Sequence, residues 1–145
     1  MRQIESLPLF VGNASDVRNV RQLFDAQIAA VVDLAAAEPT ISLPRELIYC
    51  RFPLVDGGTN APELLRAAIL TVSELLRSRM NTLVCCGAGL SRSPSIAAAA
   101  LALSESIAPQ AALVQVAASG PHDVHPLLWS HVCEIVAELH GRSAS

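Results

Sequence analysis

The sequence contains no lysine. Its ten cationic side chains are all arginine, set against thirteen acidic ones for a formal charge of −3 at pH 7. A chain with that balance is not built for nucleic acid, whose phosphate backbone rewards basic faces. Aromatic residues are also scarce, at 3 %, so a core has to be assembled from alanine, leucine and valine. No long uncharged apolar run is present. The alanine-rich stretch from Ser95 to Leu103 falls well short of the ~20 residues that cross a bilayer, and the opening MRQIESLPLF lacks the apolar segment of a secretory leader. These absences predict a cytoplasmic, reduced protein that engages neither membrane nor nucleic acid. In that compartment the four cysteines are expected to be catalytic, metal-binding or buried rather than paired.

At 145 residues with 52 % hydrophobic composition, the whole chain 1–145 reads as one domain with one core. LPLFVGN reads as a short strand stopping at Gly12-Asn13, and DVRNVRQLFDAQ as a helix capped by Ser15 or Asp16. IAAVVDLA and LIYCRFPL are apolar, β-branched strands, the second running into the loop DGGTN. Pro62 to about Arg79 is an amphipathic helix, and NTLVCC a further strand. Pro94 sits in the first turn of the next helix, where its missing N–H costs nothing. Two more helices, APQAALVQVAAS and HPLLWSHVCEIVAELH, follow. Alternating strands and helices define an α/β domain.

The segment VCCGAGLSRSPS carries the chemistry. A strand ending in Cys86, a tight loop and a helix starting near Arg92 make a cradle for an anion. The unpaired N–H groups at a helix start, and those of a curled loop, converge on one point. Gly87 and Gly89 permit the curl. Helix N-termini and adjacent cations lower a cysteine pKa from about 8.5 to about 3.5–7.5, which makes Cys86 the expected nucleophile. The planar fork of Arg92 can grip two oxygens of a tetrahedral anion, and Ser93 is placed to hydrogen-bond the sulfur. A leaving alkoxide needs a proton donor. Asp56, at a strand end, is preferred over Asp33, which lies inside an apolar strand pattern.

At these residues the sequence resembles the cysteine-dependent protein tyrosine phosphatases, and among them the small, atypical dual-specificity phosphatases. Cys86, Gly89 and Arg92 fit the Cys-x-x-Gly-x-x-Arg loop of that superfamily, and Ala88, Gly89, Ser91, Arg92 and Ser93 fit its AGxSRS form. Asp56 precedes Cys86 by thirty positions, about where that branch keeps its acid. The likeness extends to LFVGNASD, to IAAVVDLA and to the order of the C-terminal helices. It implies a central mixed, mainly parallel sheet flanked by helices, with no cofactor and no metal. By this resemblance Cys86 is the nucleophile, Arg92 the phosphate clamp, Asp56 the acid and base, and Ser93 the thiolate helper. The loop amides of Gly87, Ala88, Gly89, Leu90, Ser91 and Arg92 would bind phosphate. In one departure, Cys85 stands where the family usually has histidine. A Cys85–Cys86 disulfide would close a strained ring, and a small buried hydrophobe is the simpler reading of Cys85.

The variable loop positions Gly87, Ala88, Leu90 and Ser91 carry no charge. A polyanionic substrate needs more than one clamp, so the partner expected is a phosphorylated protein side chain or a small phosphomonoester, accepted broadly by a shallow pocket. Two other readings stand beside this one: a phosphate-binding module without turnover, and a rhodanese-type sulfur transferase carrying a persulfide. Cys50, Cys133 and Trp129 read as core residues. His122 and His125 lack ligand partners at metal-binding spacing.

Overall fold

The computed structural model describes residues 1–143. Five strands form one sheet: β1 (Arg2–Gln3), β2 (Leu9–Asn13), β3 (Ala30–Ala35), β4 (Ile48–Leu54) and β5 (Thr82–Cys86). Their order is β1-β2-β5-β3-β4. β1 runs antiparallel to β2, and every other pairing is parallel. This is the mixed, mainly parallel sheet expected. The six helices among the described residues are α1 (Ala14–Arg18), α2 (Val20–Asp25), α3 (Pro62–Arg77), α4 (Arg92–Glu105), α5 (Pro109–Ala117) and α6 (Pro126–Ser143).

The period-2 geometry of a strand divides the core in two. Leu9, Val11, Val32, Leu34, Val84 and Cys86 face the layer of α3 to α6. Phe10, Val31, Leu83 and Cys85 face a smaller cluster with Val17, Leu23 and Ile28. Cys85 and Cys86 therefore lie on opposite faces of the sheet, and all four cysteines are free. The structure supports the buried-hydrophobe reading of Cys85, because an extended strand points consecutive sulfurs apart.

α4 is buried on every side from Ser93 to Leu103, packed among α3, α5 and α6. A helix enclosed all round carries no polar stripe, and small alanines at 97–100 let its neighbours approach. Its first turn is thereby fixed to the middle of the domain.

Three expectations need correction. The helix expected over DVRNVRQLFDAQ is two short ones. Asn13 caps α1 in a reciprocal pair with Asp16 (Asp16 N–H to Asn13 Oδ1, 3.0 Å; Asn13 N–H to Asp16 Oδ2, 2.9 Å). Asn19 then ends α1 and caps α2 by accepting Gln22 N–H at 3.2 Å. The cap is thus Asn13, with Asp16 as its partner. α3 stops at Arg77, since Arg79 takes a left-handed conformation with φ 57°. The two-residue β1 carried no periodicity to read, and forms by pairing Arg2 with Val11 and Gln3 with Phe10.

Candidate active site

β5 ends at Cys86 and α4 begins at Arg92, so the five residues between them must turn the chain within a few ångströms. Gly89 makes the turn with φ +75°. A Cβ at that position would stand 2.8 Å from the Gly12 carbonyl oxygen in β2, so glycine is required both by conformation and by space. The turn aims the Gly89 N–H at the Cys86 sulfur, 3.2 Å away. The loop is held to β2 and α1 by Ala14 N–H donating to Gly87 O at 3.4 Å.

Cys86 lines a pocket of about 180 Å³ together with Asp56, Ala88, Leu90, Ser91, Arg92 and Asp123. Larger hollows exist, such as one of 450 Å³ beside α3 and α6, but this one is lined by no cysteine. The structure thus brings Cys86, Arg92 and Asp56 together. Arg92 Nη1 donates to Leu54 O at 3.0 Å, which ties the guanidinium to the end of β4, two residues before Asp56. The acid loop is braced from within by Asn60. Its amide accepts from Val55 N–H and donates to Val55 O, both at 2.7 Å, and also donates to Gly57 O at 3.3 Å.

Other predicted residues are placed differently. The Ser93 hydroxyl is fully buried and donates to Gly12 O at 3.4 Å. The first turn of α4 directs it at β2, so the donor to the sulfur is the Gly89 amide rather than Ser93. Asp33 lies on the Cys85 side of the sheet. It is 2 % exposed and accepts from Tyr49 Oη at 2.6 Å and from Ala35 N–H at 3.0 Å. Burial, then the Asp33 carboxylate, pushes the Cys85 thiol far above its ordinary value and keeps it protonated. The same surroundings push Tyr49 up to about 12.

Sequence reasoning passed over one residue that lines the site, Asp123, and one that lies behind its loop, Arg2. Asp123 adds a second carboxylate to the pocket, and its N–H is fixed to Leu90 O at 2.7 Å. Arg2 donates from Nε to Ser119 Oγ and from Nη2 to Pro121 O, both at 3.0 Å. Burial lowers the Arg2 guanidinium from its ordinary value, and attraction to Cys86 opposes that fall. Neither was legible, because both reach the loop from distant parts of the chain. Among the described residues no group of three or more His, Cys, Asp or Glu is placed to hold a metal ion, and no helix is long and apolar enough to cross a membrane.

No protein-family model matches the sequence, and no curated protein matches it. Solved structures do. The crystal structure of human DUSP28 aligns with a TM-score of 0.86 at 21 % identity, covering 98 % of this chain and 99 % of that one. A mouse putative dual specificity phosphatase complexed with zinc tungstate gives the same TM-score and identity over 98 % and 89 %. PTPMT1 aligns at 0.78 and 20 % over 99 % and 98 %. The chain has the protein tyrosine phosphatase fold. Its Cys-x-x-Gly-x-x-Arg loop lies between the central strand β5 and α4.

Proposed function

We propose that this chain is a cysteine-dependent phosphatase that hydrolyses phosphomonoesters of proteins, at phosphotyrosine and at phosphoserine or phosphothreonine, through a cysteinyl-phosphate. The observation that carries the reading is the pocket itself. It is lined together by one sulfur that accepts a main-chain N–H, by the Arg92 guanidinium and by the Asp56 carboxylate. The Cys86 thiolate attacks phosphorus, forming S–P as the P–O bond to the leaving group breaks. The loop amides and Arg92 hold the equatorial oxygens as charge builds on them. Asp56 gives its proton to the leaving oxygen. In the second step Asp56 takes a proton from water, whose oxygen attacks phosphorus and releases Cys86 and inorganic phosphate. Ser93 keeps its hydroxyl on Gly12 and takes no step in this scheme. The reaction needs a reduced thiol, which a cytoplasmic setting supplies.

One observation favours a second reading. The histidine usual before the nucleophile is replaced by Cys85, whose thiol faces Asp33 beneath the sheet. Phosphate binding without turnover is the form that reading takes. Turnover of a chromogenic aryl phosphate separates the two. The expected result is hydrolysis insensitive to chelators, blocked by vanadate or tungstate and lost in Cys86→Ser, with phosphate binding retained. Asp56→Asn should accumulate a phosphate adduct on Cys86 with an activated aryl ester, seen by intact mass. Phosphate binding with no turnover and no adduct would overturn the phosphatase reading.

A further inference from the structure

Ser91 opens α4 at the N-cap position, where a serine hydroxyl ordinarily accepts an N–H from the first turn of its own helix. Here it makes no such cap bond. The hydroxyl donates instead to Asp56 Oδ1 at 2.5 Å and accepts the His125 N–H at 2.9 Å. A hydroxyl has one proton. That proton goes to the carboxylate, while one lone pair of the oxygen takes the His125 N–H. Ser91 is 7 % exposed, so water does not compete freely for either bond.

Three loops therefore meet on one oxygen: the phosphate loop, the acid loop and the segment between α5 and α6. The last is itself anchored, by Asp123 N–H on Leu90 O and by Arg2 on Ser119 and Pro121. The acid loop is braced at its other end by Asn60. With Oδ1 held, Oδ2 is left as the oxygen to carry the transferable proton.

We propose that Ser91 is the positioning residue for the general acid, a role distinct from phosphate binding by its amide, and that it suits the site to esters with poor leaving groups, the alkyl phosphates of serine and threonine. This rests on the function proposed above. Such leaving groups depend on protonation, to which a positioned acid contributes about 10²–10⁴-fold. Activated aryl esters depend on it little.

The test compares wild type, Ser91→Ala and Ser91→Thr on a phosphothreonine peptide and on an activated aryl phosphate. The same proteins are examined by amide hydrogen exchange over residues 55–60. Ser91→Ala should lose about tenfold or more in kcat on the peptide, within the range a general acid supplies, and much less on the aryl ester. Ser91→Thr should restore the peptide rate. Adding Ser91→Ala to Asp56→Asn should cost nothing further on the peptide, since both changes remove one function. Exchange over 55–60 should rise in the alanine variant alone, a result that does not require turnover. Equal loss on both substrates, or an unchanged exchange pattern, overturns the assignment while leaving the phosphatase reading intact. A wild type inactive on both substrates overturns both.

Discussion

Replacing Gly89 by alanine tests the loop at its tightest point. The residue sits at φ +75°, a conformation that costs a side-chain-bearing residue about 1–2 kcal/mol. The added methyl would also stand 2.8 Å from Gly12 O and 3.0 Å from Gly12 C. Those atoms are backbone of β2, paired to β5 and unable to swing aside, so the loop has to lift. Lifting draws the Gly89 N–H off the Cys86 sulfur, now 3.2 Å away. A hydrogen bond to a charged group is worth about 1.5–3 kcal/mol, and each 1.36 kcal/mol is tenfold in rate. The expected loss in kcat/KM on an aryl phosphate is therefore roughly 10–100-fold. Thermal unfolding should fall by a few degrees, as about 1–2 kcal/mol implies for a domain of this size. Inorganic phosphate should also lose much of its protection of Cys86 against iodoacetamide. Wild-type turnover together with wild-type melting would refute the reasoning, because it would mean that neither the strain nor the Gly12 contact is real.

Gly141 is the contrasting case: it lies in α6 with nothing within 4 Å of a built Cβ, so Gly141→Ala should raise stability by up to about 0.5–1 kcal/mol, read by urea midpoint. Arg92→Lys removes the planar fork and the Nη1 bond to Leu54 O; phosphate affinity should fall at least about tenfold, as loss of one charge-assisted contact implies, with little change in melting. The buried Cys85 thiol and the half-buried Tyr49 phenol predict alkaline sensitivity. Cys85 is raised above its reference of 9.0 and Tyr49 from 10.0 to about 12, so between the unfolded and folded values the unfolded chain binds fewer protons. Stability should thus fall as pH rises above about 9, and Cys85→Ala should flatten the start of that fall in urea titrations at stepped pH. Parallel slopes in the two proteins would exclude the thiol as its source.

The parallel strands and α3 were legible because each carries a local pattern of its own. β3 is an apolar run interrupted only by Asp33, β5 is apolar from Leu83 to Cys86, and α3 spaces Leu65, Ala68, Ile69 and Val72 along its buried side. Cys86, Arg92 and the glycines were legible for the same reason: the cradle is one continuous segment, and its geometry is coded by neighbours in the chain. Asp56 required one more step, the inference that a strand end near the cradle would carry the acid. What stayed hidden is what tertiary contact decides. Nothing local says that Ser91 gives its hydroxyl to Asp56 rather than to its own helix, or that Ser93 turns to Gly12. Asp123 enters the site, and Arg2 lines the hollow behind its loop, from chain positions with no signal of their own. The start of α1 was within reach, since Asn13-x-x-Asp16 is a reciprocal capping pattern.

The opposite facing of Cys85 and Cys86 determines how the nucleophile would survive oxidants. A sulfenic acid formed on Cys86 is normally rescued when a second thiol condenses with it. The adjacent cysteine is walled off by the strand that carries both sulfurs, and it is held as an unreactive thiol against Asp33. A resolving thiol has to arrive from elsewhere, such as glutathione diffusing in through the open pocket. Mild peroxide followed by glutathione should leave a mixed disulfide on Cys86, and peroxide alone should drive that sulfur on toward the sulfinic state.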